Sequence, residues 1–228
     1  VIDALRAELA RCGIADVSAL VALDLRERVA GEVGAALTAC GARRDLRIDA
    51  TGGTPRRYRI LTRDTLLERC PSVAALYRSP ALRDLIERVA GETVFDVPYR
   101  PEEFIATRLE FAGDTHGWHW DDYAFALVWV LEAPPADAGA QVEFVSGVPW
   151  CKTAPNVEGF LRSRDIVRRA VAAGSVYLLR ADTTLHRVAP LLRDERRDAL
   201  CFTYARAADL ERDPSHETLE QIYATSAS

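Results

Sequence analysis

The chain has 228 residues, 49% of them hydrophobic and 28% charged, a balance that suits a soluble globular protein with a sizeable core. The formal net charge of −5 offers no basic field to nucleic acid or to an anionic membrane, and the arginine pairs at 43–44, 56–57, 168–169 and 196–197 are scattered. Five cysteines, odd in number and without a C-x-x-C pair, argue against a zinc knuckle or disulfide framework and read as reduced thiols of a cytoplasmic protein.

The opening "VIDALRAELARC" repeats apolar residues at three- and four-residue spacing and stops at Gly13, which predicts a helix rather than a secretory signal. "DVSALVALDLRERVAGEVGAALTAC" continues the helical pattern to Gly41. Two short strands, "DLRIDA" and "RRYRILT", are expected around the turn-forming "TGGTP". Helical patterns return in "DTLLERCPSVAALYRS" and in "SPALRDLIERVAGE", where Ser79-Pro80 opens a helix and Gly91 closes it.

From about residue 93 the character changes. "TVFDVP", "EFIATRLEF", "AFALVWVLE", "QVEFVSG", "SVYLLR", "HRVAPL" and "RRDALCFTYA" are short, rich in β-branched or aromatic residues, and divided by Pro, Gly and Asp. Helices first and strands later predict an α+β fold whose strands form a sandwich or barrel. The region 146–173 is ambiguous, and "RSRDIVRRAVAA" is compatible with a helix inserted between two strands. One domain is expected over 1–228, with a helix-rich part at 1–92, a strand-rich part at 93–206 and a C-terminal helical segment at 207–228.

Only four histidines occur: His116, His119, His186 and His216. His119 and Asp121 form an H-x-D pair ahead of the strand "AFALVWVLE". Residues two apart in an extended segment project to one side, so both can face one atom. With His186, at the start of a later strand, they make two imidazoles and one carboxylate on one side of a metal. The opposite side stays open, which is the arrangement that non-haem Fe(II) uses to bind a cosubstrate and O2. Arg196 and Arg197 follow at the head of "RRDALCFTYA", where a guanidinium can receive a cosubstrate carboxylate. If Cys201 and Thr203 face inward, strand alternation turns Arg197 inward and Arg196 outward, so Arg197 is favoured. His216 is read as a first-turn helix residue on the surface. Trp120 is assigned to core packing, Trp118 to the wall of the pocket, and Trp129 to the core.

These motifs resemble the Fe(II)- and 2-oxoglutarate-dependent oxygenases. "THGWHWDDYAFALVWVLEAP" is similar, more narrowly, to the free-lysine radical halogenases and their hydroxylase relatives. The resemblance implies a double-stranded β-helix (jelly-roll, cupin-like) core over about 93–206, with the helical N-terminal region packed on it. It also implies Fe(II), 2-oxoglutarate and O2 as reaction partners, and open-shell oxidation of an unactivated C–H bond in a free amino acid. The halogenases read "HWG" where this chain reads "HWD". With Asp121 filling the place that a halide takes in them, the resemblance points to hydroxylation.

The resemblance further implies that Arg56 receives the substrate carboxylate and that Glu102 reads a distal ammonium. His116, Asp122 and Thr203 match other substrate-contacting positions. Cys201 stands where lysine-acting members carry an amide, and their C-terminal tryptophan has no counterpart among Gln221, Ile222 and Tyr223. The expected substrate is therefore a basic amino acid such as lysine or ornithine, with a neutral or carrier-bound amino acid as the alternative. A cupin-like metal-binding protein without oxygenase chemistry would account for the three ligands but would not need Arg197, Arg56 or Glu102. No nucleic-acid or membrane partner is expected, and the oligomeric state is left open.

Overall fold

In the computed structural model, which describes residues 1–224, twelve strands form one antiparallel sheet with eight helices around it. The strands are β1 (Ile14–Asp16), β2 (Ala42–Ile48), β3 (Thr54–Leu61), β4 (Phe95–Asp96), β5 (Phe104–Leu109), β6 (Thr115–His119), β7 (Phe125–Glu132), β8 (Val142–Ser146), β9 (Val167–Arg169), β10 (Val176–Arg180), β11 (Thr184–Val188) and β12 (Arg197–Ala205). Their order is β1-β10-β7-β12-β5-β3-β6-β11-β8-β9, with β2 on β3 and β4 on β12. The sheet curls into the expected jelly roll, with helices outside and a cavity within.

The helices are α1 (Ile2–Cys12), α2 (Leu23–Cys40), α3 (Arg63–Arg69), α4 (Pro71–Tyr77), α5 (Pro80–Ala90), α6 (Val157–Ser163), α7 (Ala207–Leu210) and α8 (Glu217–Tyr223). Gly13 ends α1 in the left-handed conformation, and the Ser79 hydroxyl caps α5 by accepting from the Leu82 amide. Val29, Val33, Val73, Tyr77 and Ile86 pack on Leu127, Trp129, Leu178, Leu200, Phe202 and Tyr204. Burying each large side chain there stabilises the fold by roughly 1.5–3 kcal/mol. Trp129 is thus in the core, as expected.

That packing decides what faces the cavity. On β12, Leu200, Phe202 and Tyr204 are committed to the helices, so Ala199, Cys201 and Thr203 point the other way. Tyr77 and Tyr204 stack at 4.8 Å, and each donates its hydroxyl to a backbone carbonyl at 3.0 Å, leaving neither buried oxygen unmet. Asp198 is held by its cross-strand partner Arg108 at 2.7 and 2.8 Å, which fixes the strand's register beneath α2.

Several expectations are corrected. The stretch read as continuous helix from residue 16 opens with β1, paired with β10, and a short 3-10 turn at Ser18–Leu20 before α2 begins at Leu23. The helix-rich first part is therefore not separate from the strand-rich part. It also supplies β3, which bridges β5 and β6. "RSRDIVRRAVAA" is not a helix: α6 ends at Ser163, and Val167–Arg169 is an edge strand on β8. "THGWH" is itself a strand, and His186 sits in the middle of β11 rather than at its start. The C-terminal residues 207–224 carry α7 and α8; the rest of that expected segment, 225–228, lies outside the described residues. Among the described residues no helix is long and apolar enough to cross a membrane.

Candidate active site

The antiparallel pairing of β6 with β11 sets His119 directly opposite His186. The register then slips by one, so that Val188 pairs with His116: β6 carries one extra residue. This bulge undoes the alternation that would aim His116 away from His119. The two rings stack at 3.9 Å on the same side. Gly117 sits in the bulge because its backbone passes close to β3, where a Cβ would come within 2.5 Å of the Pro55 carbonyl oxygen.

Asp121 lies in the turn after β6, its carboxylate 3.8 Å from His119 Nε2 and 3.9 Å from His186 Nε2. Each imidazole places Nδ1 against the backbone carbonyl two residues before it, Gly117 for His119 (2.7 Å) and Thr184 for His186 (2.8 Å). With Nδ1 donating there, both Nε2 lone pairs point at the space beside Asp121. One ligand atom from each residue lies within 4.8 Å of the others. Burial holds His186 down to about 4 and His119 well below its ordinary value, while it pushes Asp121 well above the usual carboxylate range. Neutral imidazoles and a carboxylate without an arginine or lysine in contact suit a divalent cation. The donor set of two nitrogens and one oxygen fits Fe(II).

The cavity inside the sheet is lined by Arg56, Glu102, His116, His119, Asp121, Asp122, His186, Arg197 and Thr203. Arg196, the less favoured of the two arginines, lies outside it, on the side to which strand alternation turns it. Its guanidinium bonds Glu132 at 2.8 Å and Asp198 at 2.5 Å on the helix side of β12. Arg197 is fully buried, with Nη2 lacking any hydrogen-bond partner and the Tyr177 hydroxyl beside it. Arg56 is likewise sealed from solvent and faces His116 across the strand pair. It donates to the Thr54 hydroxyl at 3.0 Å but leaves Nε unpaired. Burial lowers Arg56 to about 10, with Asp121 acting against that shift. Two buried guanidiniums with unmet N–H groups in one cavity call for anionic ligands.

Near Asp121, Glu102 and Asp122 are both pushed up by burial. His216 is not the surface residue expected. Its Nδ1 lies 3.6 Å from Glu102 and 3.7 Å from Asp122, and its ring stacks on Tyr99 at 3.8 Å. The chain after β12 folds back over the cavity, where Thr218, Leu219 and Ile222 complete the lining. Local periodicity carries no sign of that return. Trp120 lines the cavity and donates to the Val148 carbonyl at 2.7 Å. Trp120 also packs in the core as expected, in one apolar cluster with Trp118, which lies under the Arg187 guanidinium at 4.8 Å and does not line the cavity, against its expected place in the wall. Tyr177 and Lys152 were not singled out in the sequence, and His216 was assigned to the surface. Strand alternation from Leu178 could have found Tyr177; nothing local marks the other two.

A family model described as Halogenase D matches residues 1–224. No curated protein matches the chain. Among solved structures, AviO1 from Streptomyces viridochromogenes Tue57 is similar at 16% identity and a TM-score of 0.71, covering 94% of this chain and 98% of that one. The epimerase SnoN, solved with Fe3+, alpha ketoglutarate and nogalamycin RO, is similar at 19% identity and a TM-score of 0.65, covering 94% and 91%. A prolyl hydroxylase from Trichoplax adhaerens, in complex with a hypoxia inducible factor peptide fragment, is similar at 12% identity and a TM-score of 0.66, covering 94% and 93%. At these identities the likeness is one of fold.

Proposed function

The chain belongs to the Halogenase D family, and we propose that it hydroxylates an unactivated C–H bond of a free, cationic amino acid, using Fe(II), 2-oxoglutarate and O2. The observation that carries this reading is one cavity holding a two-histidine, one-carboxylate trio and two buried guanidiniums with unmet N–H groups. A cosubstrate with a distal carboxylate and a substrate with an α-carboxylate account for both cations.

His119, Asp121 and His186 would hold the iron, which when bound supplies the oxidation of the C–H bond. Arg197, with Tyr177 beside it, anchors the distal carboxylate of 2-oxoglutarate from the floor of the cavity. Arg56 receives the amino acid's carboxylate, and His116 and Thr203 flank it. Glu102 and Asp122 take up cationic charge. Apolar Ala126, Val128 and Ala199 line the walls between them and exclude water. Because Asp121 provides the carboxylate donor itself, the place a halide would need is taken, which favours transfer of oxygen.

The test is oxygen-dependent succinate formation across the free proteinogenic amino acids and ornithine, with mass detection of a product heavier by one oxygen atom. A basic amino acid as best substrate supports the reading. Turnover confined to a carrier-bound amino acid, or none with any free one, refutes it.

A further inference from the structure

Beside the trio proposed to hold iron lies a second set with metal-ligand geometry, two of whose members line the cavity. Glu102, Asp122 and His216 each bring one donor atom within 4.8 Å of the others. Two carboxylates and an imidazole this close form a competing site for any divalent cation that enters. The chain puts a cation of its own there. Lys152, on the loop between β8 and α6, sets Nζ 2.5 Å from Asp122 Oδ1. It also donates to the Ser215 carbonyl, the residue before His216, and lies over the Trp150 ring at 4.6 Å.

Lys152 is the only lysine in the sequence; the other 28 basic residues are arginines. An ammonium suits this place because it is compact, with three donors that can diverge toward a carboxylate and a carbonyl while one side rests on an indole. Glu102 and Asp122 line the cavity, whereas Lys152 and His216 do not. Glu102 Oε2 and His216 Nδ1 are buried with no hydrogen-bond partner.

We propose that Lys152 determines specificity: its tethered ammonium takes one of the cage's two negative charges, closes the cage to divalent metal, and leaves charge for a single ligand ammonium. With Asp122 already held by Lys152, the cage suits the side chain of a basic amino acid but offers too few free donors to draw a divalent ion from water. Only this last assignment rests on the reading of the substrate given above.

The experiment counts Mn(II) bound per chain by equilibrium dialysis, in the full protein and in the variant His119→Ala/His186→Ala, which lacks the first trio. The unsubstituted cage is expected to bind no manganese in that double variant. Adding Lys152→Met should create one site, abolished again by Asp122→Asn or His216→Gln, whereas Lys152→Arg should create none. In the otherwise unaltered protein, Lys152→Met should raise the count from one to two. A cooperative thermal transition checks that each variant is folded, and Lys152→Gln replaces Lys152→Met if the latter is not. No gained site in a folded Lys152→Met or Lys152→Gln variant overturns the proposal, as does a cage that already binds manganese with Lys152 in place. Failure of the iron reading would show separately, as manganese binding that His119→Ala/His186→Ala does not reduce and that adding Asp122→Asn does not remove either.

Discussion

His119 and His186 are direct cross-strand neighbours on β6 and β11, their ring centroids 4.1 Å apart. The metal trio therefore depends on one strand register, and on a bulge whose extra residue keeps His116 on the same side. Replacing either His119 or His186 by alanine should weaken Mn(II) or Fe(II) binding by at least about 100-fold, since losing a ligand costs more than losing one of its outer hydrogen-bond partners. Gly117→Ala should weaken it too, with both histidines intact, because its methyl group meets Pro55. Equilibrium dialysis reads both effects, and unchanged binding in Gly117→Ala would detach the bulge from the site.

Arg197 and Arg196 should respond oppositely. Arg197→Ala strands a cosubstrate carboxylate in the interior and is expected to cost on the order of 2–5 kcal/mol of 2-oxoglutarate binding. Arg196 is partly exposed and already paired with Glu132 and Asp198, so its removal should change that affinity by less than about 1 kcal/mol. Anaerobic titration of the Fe(II) protein with 2-oxoglutarate, followed by the visible charge-transfer absorption of the chelate, measures both.

Asp121 is a burden on the metal-free fold, because burial and the nearby Glu102 and Asp122 carboxylates disfavour its charged form. Metal-free Asp121→Asn should therefore unfold at a higher temperature than the metal-free parent, by about 0.5–2 kcal/mol of stability. Addition of Mn(II) should stabilise the parent far more than the variant. Asp121→Gly should give at most traces of chlorinated product when supplied with chloride, since the pose of the substrate also directs the outcome. Efficient chlorination would show that this one side chain separates the two chemistries.

The histidines set a pH dependence of definite sign. His186 falls to about 4 in the folded state from an ordinary value of 6.5, because burial favours the neutral ring. A lowered value means that the unfolded chain binds more protons between those limits, so folding stability rises with pH across that window. The contribution is full above about 6.5 and lost as the pH falls through about 4. Asp121 acts in the opposite sense, so the slope is best read in metal-free Asp121→Asn. His186→Gln in that background should flatten it, and an unchanged urea midpoint profile would refute the assignment.

Arg56→Ala and Glu102→Gln should each cost on the order of 2–5 kcal/mol of amino-acid binding, because the partner charge is left without solvent. Both should also raise succinate release relative to product, since the C–H bond is no longer held in place. Lysine and ornithine should outperform norleucine, which keeps the chain and drops the charge. Better turnover of norleucine or leucine would mark Glu102 and Asp122 as polar wall residues, and Cys201 as part of a pocket shaped for an apolar side chain.

Alternation and spacing are local, and what they encode was legible. The H-x-D pair puts His119 and Asp121 within reach of one atom wherever the segment lies. On β12, the apolar commitment of Leu200, Phe202 and Tyr204 to the helices forces Arg197 inward, and the alternating pattern alone already carried that direction. The succession of helical periods before residue 93 and short strands after it gave the layers of the fold.

Non-local partners decided the rest. Ile14–Asp16 is a strand because β10 offers it an open edge, although its neighbours read as helix. The extra residue in β6 exists only relative to the register of β11, so the sequence cannot announce that His116 joins His119. His216 and Lys152 reach the Glu102–Asp122 pair on segments whose own patterns describe a surface helix and a polar loop. Their burial comes from the C-terminal chain closing over the cavity and meeting Glu102 and Asp122. The sequence by itself determined which residues share a face of an element. Tertiary structure decided which faces meet, because that choice rests on packing and charge pairing between segments far apart in the chain.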